Sequence, residues 1–150
     1  MSLSTKILQV ALTEAVDPAG TAFTLNDRDL IVLEDDTLGC KVTYERDGAK
    51  TEIHYVTESP WTIGGTSVVQ GGSNVSGSSG VMFPVTNSDG KVEWINHLRI
   101  SHREPWTDTT TTVTTYTKIE YNNYGARETY FHVMETMAQI TATILQRNTV

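Results

Sequence analysis

Apolar residues in this chain fall mostly into short runs separated by turn residues, a pattern typical of β-strands. In the first run, 7–12, Val10 and Leu12 alternate with smaller or polar neighbours, and the Asp-Pro-Ala-Gly stretch at 17–20 ends it in a turn. Apolar residues recur at helical spacing near the C terminus, at Met137, Ile140, Ile144 and Leu145. The pattern therefore predicts a mainly β protein with a C-terminal helix.

The most informative feature of the sequence is an internal repeat. Segment 41–63 aligns without a gap with segment 118–140, and seven of the 23 aligned pairs are identical. Upstream, the correspondence continues at a shift of 70 instead of 77 residues, which places the extra residues of the second copy around 107–115. The matched pairs there are Leu25/Ile95, Asn26/Asn96 and Leu30/Ile100.

Each copy predicts the same local structure. Gly48 in the first copy, and Gly125 in the second, lie between two strands, where glycine accepts the positive φ of a tight hairpin turn. Ser59 and Thr136 then stand where a hydroxyl can accept hydrogen bonds from the first N–H groups of a helix. In the first copy the glycine at 64 stops that helix after about one turn.

These observations predict a mainly β (α+β) fold for 1–150, in one compact domain. Two pseudo-repeated β-β-β-short-α units, at about 24–63 and 94–147, would share a core. A glycine- and serine-rich loop, 64–90, would join them. The valines at 68–69 could pair with 81–83 as a hairpin around this loop. Two interpretations stay open for the loop, a mobile exposed segment or an arm that becomes ordered on a partner.

Composition supports strands and argues against a phosphate-binding surface. Thr occurs 24 times and Ser 10 times, and the branched Cβ of Thr favours extended backbone. The formal net charge is −7, with 11 of the 18 acidic residues and 5 of the 11 basic ones in 1–75. We therefore expect protein partners and no nucleic acid.

Cellular location and redox chemistry follow from a few further features. Cys40 is the single cysteine, so it has no disulfide partner within the chain, and we expect it to be buried. The N terminus lacks the basic start and apolar run of a signal peptide, and no apolar stretch has the length to cross a bilayer. We expect synthesis in the host cytoplasm and no membrane partner.

Candidate chemical groups are scattered. His102 and Glu104 would share one face of a strand, whereas His97 would face the other way, so a metal site lacks converging ligands. Glu58 and Glu135 stand beside the predicted helix starts, where a carboxylate is favoured by the free N–H groups. The remaining candidates, expected to be a solvated turn and tolerant surface positions, are Glu34, Asp35, Asp36, His54 and His132. We predict no catalytic, cofactor or metal site.

Interaction residues are the better candidates. Buried or partly exposed tryptophans commonly anchor protein interfaces, although core packing is an equal alternative here. Glycine-rich loops can lie on neighbouring subunits. The interface candidates are Trp61, Trp94, Trp106, Gly72, Gly77 and Gly80.

Two resemblances point to assembly. Each repeat resembles the strand-rich module of the small flagellar-operon protein family, through Asn96, Ile100, a threonine-rich strand at 110–115, Gly125, and Val133 followed by Glu135. The whole chain resembles small virion proteins of tailed bacteriophages, which are typically acidic, rich in Thr and Ser, poor in cysteine and mostly β. That resemblance implies a virion location and a structural role in capsid decoration, head–tail connection or the tail.

We therefore expect a non-catalytic structural protein that acts by association, as a homo-oligomer or with other virion subunits. A cytoplasmic protein-binding module of a phage or bacterium is the alternative, and a small enzyme is the third class.

Overall fold

The computed structural model describes residues 9–16, 18–46, 50–65, 81–108, 114–121 and 130–148. Within these ranges the chain forms short strands, single helical turns after β2, β5 and β7, and a C-terminal helix. The turns are Asp27–Asp29, Trp61–Gly65 and His97–Arg99, and the helix, α1, is Met137–Asn148. The strands are β1 (Gln9–Thr13), β2 (Ala22–Asn26), β3 (Leu30–Asp36), β4 (Gly39–Arg46), β5 (Lys50–Val56), β6 (Met82–Thr86), β7 (Val92–Asn96), β8 (Ile100–Asp108), β9 (Thr114–Tyr121) and β10 (Tyr130–Val133).

The strands form three antiparallel sheets. One has five strands in the order β5-β4-β3-β7-β6, one has three in the order β10-β9-β8, and β1 pairs with β2 in the third. The pairing of β3 with β7 is short: Val32, Leu33 and Glu34 face Ile95, Trp94 and Glu93. This pairing joins the first half of the chain to the second.

The predicted repeat is present in the structure. The hairpin β4–β5 pairs Lys41 with Tyr55, and β9–β10 pairs Lys118 with His132, which is the same register 77 residues later. Both units also shift register at the start of the preceding strand, between Leu30 and Val32 in β3 and at the equivalent position in β8. The turn residues Gly48 and Gly125 lie outside the described residues.

The structure adds a leading strand to each unit. Thr13 at the end of β1 corresponds to Thr86 at the end of β6, and both carbonyls accept a backbone hydrogen bond from the residue after the second strand of the unit's hairpin, Thr57 at 3.0 Å or Met134 at 2.8 Å. The sequence did not reveal this match because the turn after β1 is longer than the turn after β6, which changes the shift to 73. The first unit is therefore β1–β5 with its turn, and the second unit is β6–β10 with α1.

The expected hairpin around the glycine- and serine-rich loop differs from the structure. Strand β6 pairs with β7 across the turn 87–91, so 82–86 has its partner downstream. The proposed upstream partner, 68–69, lies outside the described residues. The physical reason is the turn chemistry at 87–90, where the Asn87 carboxamide accepts hydrogen bonds from the N–H groups of Asp89 (2.9 Å) and Lys91 (3.0 Å).

The starts of the helical segments are capped as predicted, whereas the role expected for the adjacent glutamates is wrong. Thr62 N–H donates to the Ser59 hydroxyl at 3.1 Å, and Gln139 N–H donates to the Thr136 hydroxyl at 3.2 Å. Glu58 instead accepts from the backbone N–H (2.8 Å) and hydroxyl (2.9 Å) of Thr13. Glu135 likewise accepts from Thr86 N–H, at 2.6 and 2.8 Å. These carboxylates attach the leading strand of each unit to the end of its last strand.

Two apolar clusters form the core, one in each unit, and β7 contributes to both. Trp94 belongs to the first cluster, with Leu33, Val42 and Ile63, whereas its neighbour Ile95 belongs to the second. The second cluster also contains Phe83, Val85, Ile119, Val133 and Ile140. Because successive side chains of a strand point to opposite faces, β7 can fill both cores.

Cys40 is buried as expected, and burial raises the pKa of its thiol to about 12. Such a thiol stays protonated and unreactive at neutral pH. In the described part of the chain, no helix is long and apolar enough to cross a membrane.

Candidate interaction site

Trp61 is presented by the helical turn that follows β5. Pro60 precedes it, and the turn closes with a hydrogen bond from Ile63 N–H to the Ser59 carbonyl at 3.1 Å. Gly64 lets the turn lie close to the sheet, because a Cβ there would stand 3.1 Å from the Cβ of Met82 and 3.2 Å from the Trp94 ring. The buried apolar residues of the turn thus face inward, while Trp61 stays 58% exposed.

Trp94 supports Trp61 from below. Its side chain is 2% exposed, and its ring centroid lies 5.5 Å from that of Trp61 at an interplanar angle of 68°. This edge-to-face arrangement is a favourable one for aromatic pairs, contributing about 0.5–1.5 kcal/mol beyond burial. An exposed aromatic ring is therefore held in a defined position.

The two tryptophans line an open groove of about 590 Å³ on the surface of the five-stranded sheet. Most of its walls are apolar, and Asp35 and Lys91 contribute one acidic and one basic side chain. The complete lining is Asp35, Ser59, Pro60, Trp61, Pro84, Lys91, Val92 and Trp94. We call this feature the Trp61 groove.

The other predicted interface residues have different positions. Trp106 is partly buried in the second unit, where it stacks on His132 at 3.8 Å and contacts Tyr116 at 5.7 Å. It is therefore separate from the Trp61 groove. Gly72, Gly77 and Gly80 lie outside the described residues. Of the three tryptophans, the structure brings Trp61 and Trp94 together.

A like-charged pair lies at the junction of the units. Glu93 and Glu34 face each other across β7 and β3. Burial raises the pKa of Glu93, while the Asn87 carboxamide, which donates to it at 2.9 Å, opposes that rise, and the charge of Glu34 adds to it. Lys41 partly offsets the repulsion, 3.6 Å from Glu34.

A second cluster of titratable side chains lies in the first unit, and sequence reasoning missed it. His54 Nδ1 contacts Glu14, and its ring packs 5.4 Å from those of Phe23 and Tyr44. His54 is thus part of a packed polar network and not the tolerant surface position that was expected. His132, stacked on Trp106, also differs from that expectation.

Glu52 extends this network on the exposed side. Its carboxylate accepts from Tyr44 Oη at 2.9 Å and from Arg46 Nη1 at 2.7 Å. The Arg46 hydrogen bond, followed by that of Tyr44, lowers the pKa of Glu52. Burial and the Glu52 carboxylate raise the pKa of Tyr44. The network links β1, β4 and β5, and its partners are separated by up to 40 residues in sequence.

The histidines considered as metal ligands are spread along β8 and the turn before it. His102 Nε2 lies 3.6 Å from Glu104, on one strand face as predicted, and both side chains are exposed. His97 belongs to the helical turn before β8, not to a strand. Among the described residues, no group of three or more His, Cys, Asp or Glu side chains has the arrangement of a metal site.

Comparison of the chain with protein-family models, with curated proteins and with solved structures finds no match.

Proposed function

We propose that this protein is a non-catalytic structural component of a bacteriophage particle and acts by association with other protein subunits. The observation that carries the proposal is Trp61, a more than half-exposed aromatic ring held against buried Trp94 in an apolar groove. Protein interfaces concentrate their binding energy in such aromatic anchors. The virion assignment rests on the resemblance of the acidic, Thr- and Ser-rich, mainly β chain to small phage structural proteins.

The occupant that fits the Trp61 groove is an extended segment of a neighbouring subunit. Pro60 and Pro84 supply rigid apolar walls, and aromatic grooves with such walls bind extended peptides without having to reorganise. Asp35 and Lys91 can pair with one basic and one acidic side chain of that segment. Synthesis in the host cytoplasm followed by incorporation into the virion is part of the proposal.

Mass spectrometry of purified particles tests this function. The chain should be present in particles, and Trp61→Ala should reduce its incorporation while leaving the circular dichroism spectrum unchanged. Ile53→Ala is the matched control, because Ile53 is 51% exposed on β5 and does not line the groove. Its incorporation should equal that of the wild type.

Two outcomes would contradict the proposal. Absence of the chain from particles, with Trp61-dependent binding to a host or phage protein in the lysate, would favour the cytoplasmic binding module. Equal incorporation of Trp61→Ala and wild type would remove the groove from the interface.

A further inference from the structure

The inference concerns two sheet edges that are equivalent to a pairing inside the chain. In the first unit, β3 pairs on one side with β4 and on the other with β7, which is the second strand of the leading hairpin of the next unit. In the second unit the strand equivalent to β3 is β8. Among the described residues β8 pairs with β9 alone, and β2, the equivalent of β7, pairs with β1 alone.

We propose that the β8 edge of one molecule binds the β2 edge of a second copy, repeating between molecules the β3–β7 junction that exists within the molecule. Equivalent positions give the register: His102, Arg103 and Glu104 would face Leu25, Thr24 and Phe23 of the second copy, antiparallel. The inference deepens the proposed structural function by naming a partner, which is a second copy of this chain.

The space that this second copy would occupy is open in the structure. A groove of about 490 Å³ runs beside the β8 edge, between that strand and α1. Its lining residues are His97, Ile100, Ser101, His102, Arg103, Met137 and Ile144. In the first unit the corresponding space, between β3 and the turn 61–65, is filled by Met82 of β6 and Trp94 of β7. The template therefore shows what fills such a space.

Side-chain sizes change in a compensating way between the two junctions. In the first unit Trp94 packs against Gly64, where a Cβ would be only 3.2 Å from the ring. At the equivalent positions of the second junction stand Thr24, which is exposed on β2, and Thr141, which is exposed on α1. Arg103, the equivalent of Leu33, already reaches Thr141, with Nη1 3.3 Å from its hydroxyl. A smaller side chain on the incoming strand matches the larger one on the helix.

The burial of β2 fits the same arrangement. Phe23 and Leu25 pack on the core of their own unit, whereas Ala22 and Thr24 point outward. On β7 both faces are occupied, because Ile95 serves its own unit and Trp94 serves the neighbouring one. The outer face of β2 thus corresponds to the face that β7 buries against the other unit.

Charge also favours this contact. The β8 groove presents Arg103 and two histidines, while 1–75, which contains β1 and β2, carries 11 acidic and 5 basic side chains. Opposite charge steers association and fixes register. Because the two edges differ, the contact is head-to-tail, and its rotation decides whether the chains close into a ring or continue as a filament.

Cross-linking of single-cysteine variants tests the register. Directly opposed residues of an antiparallel pair have Cβ atoms about 4.5–5.5 Å apart, near the separation of a disulfide. A mixture of Thr24→Cys and Arg103→Cys should form a disulfide-linked species of two chains on oxidation, and each variant alone should not. Cys40 does not compete, because its thiol is buried and protonated. The control mixture, Thr24→Cys with His102→Cys, places the cysteines on opposite faces and should lose this product.

Light scattering after size-exclusion chromatography tests the groove. The wild type should have a mass that is a multiple of 16.6 kDa greater than one, and Thr141→Trp, which fills the groove from an exposed helical position, should return it to one chain. Ala142→Trp, on the outward face of α1, should keep the wild-type mass. A monomeric wild type at every concentration, or equal cross-linking in the test and control mixtures, would overturn self-association. Neither result depends on the presence of the chain in particles, so this inference and the proposed function can fail separately.

Discussion

At the scale of single residues, the environment of Glu93 shows how packing at the junction affects ionisation. Glu93 is partly buried, faces Glu34 across two strands, and has a raised pKa caused first by desolvation. A carboxyl whose pKa is higher in the folded than in the unfolded state binds its proton more tightly when folded. The free energy of unfolding therefore decreases as the pH rises from below the unfolded value, about 4.3, through the raised folded value.

Glu93→Gln should remove this decrease, because the amide stays neutral and its oxygen can still accept from Asn87. We expect a gain of about 0.2–1 kcal/mol in the free energy of unfolding at pH 7, the range of a cross-strand charge pair, and little gain below pH 4. Urea unfolding across this pH range measures it. Glu104→Gln removes a carboxylate 3.8 Å from Lys118 and should not stabilise the protein. An equal gain at all pH values would contradict the linkage.

At the scale of elements, Asn96 connects β7 to the turn before β3. Its carboxamide donates to the carbonyls of Arg28 (3.1 Å) and Leu30 (2.8 Å), and its oxygen accepts from Leu98 N–H at 2.8 Å. Arg99 strengthens the connection by donating to the Arg28 carbonyl through Nε (3.1 Å) and Nη2 (2.9 Å). Backbone groups of both units are thus satisfied by two side chains.

Asn96→Ala should lower the free energy of unfolding by about 1–3 kcal/mol, because Asn96 is fully buried and its partners would lose their hydrogen bonds without gaining water. Chemical denaturation at neutral pH is the measurement. Ser88→Ala, at an exposed turn position, is the control and should change stability by less than about 0.5 kcal/mol. A loss for Asn96→Ala no larger than that of the control would show that the connection is unimportant.

At the scale of the whole molecule, the units share structure instead of merely touching. Strand β7 pairs with β3 of the first unit and packs Ile95 into the core of the second. Loss of either unit would therefore expose buried surface of the other.

We expect a single thermal unfolding transition, with tryptophan fluorescence, which reports on Trp94 at the junction, coinciding with far-ultraviolet circular dichroism. The equivalent core variants Val56→Ala and Val133→Ala, one in each unit, should each lower the midpoint of both signals together. Two resolved transitions, or a variant that shifts only one signal, would mean that the units unfold independently.

Particular residues show which parts of this structure could be predicted. The hairpins at 41–56 and 118–133, the caps at Ser59 and Thr136 and the helix after Thr136 follow from alternation, turn residues and short-range hydrogen bonds, which act between neighbours in the chain. The repeat made these predictions stronger. The mainly β fold with two related units was therefore accessible before the structure.

The candidate site was only partly accessible. Tryptophan composition suggested Trp61, Trp94 and Trp106, yet their exposures differ because a helical turn presents the first, a central strand buries the second and a stacked histidine covers part of the third. The contact of His54 with Glu14, 40 residues apart, left no pattern in the sequence.

By itself the sequence determined the local elements, the repeat of 77 residues and the acidic surface, since each depends on the order of nearby side chains. Only the tertiary structure decided that β7 crosses to β3, that Glu58 and Glu135 bind the ends of β1 and β6, and that β2 and β8 keep an outer edge. These features depend on strand pairing between distant segments, whose register is set by how two cores fill space together and not by any local period.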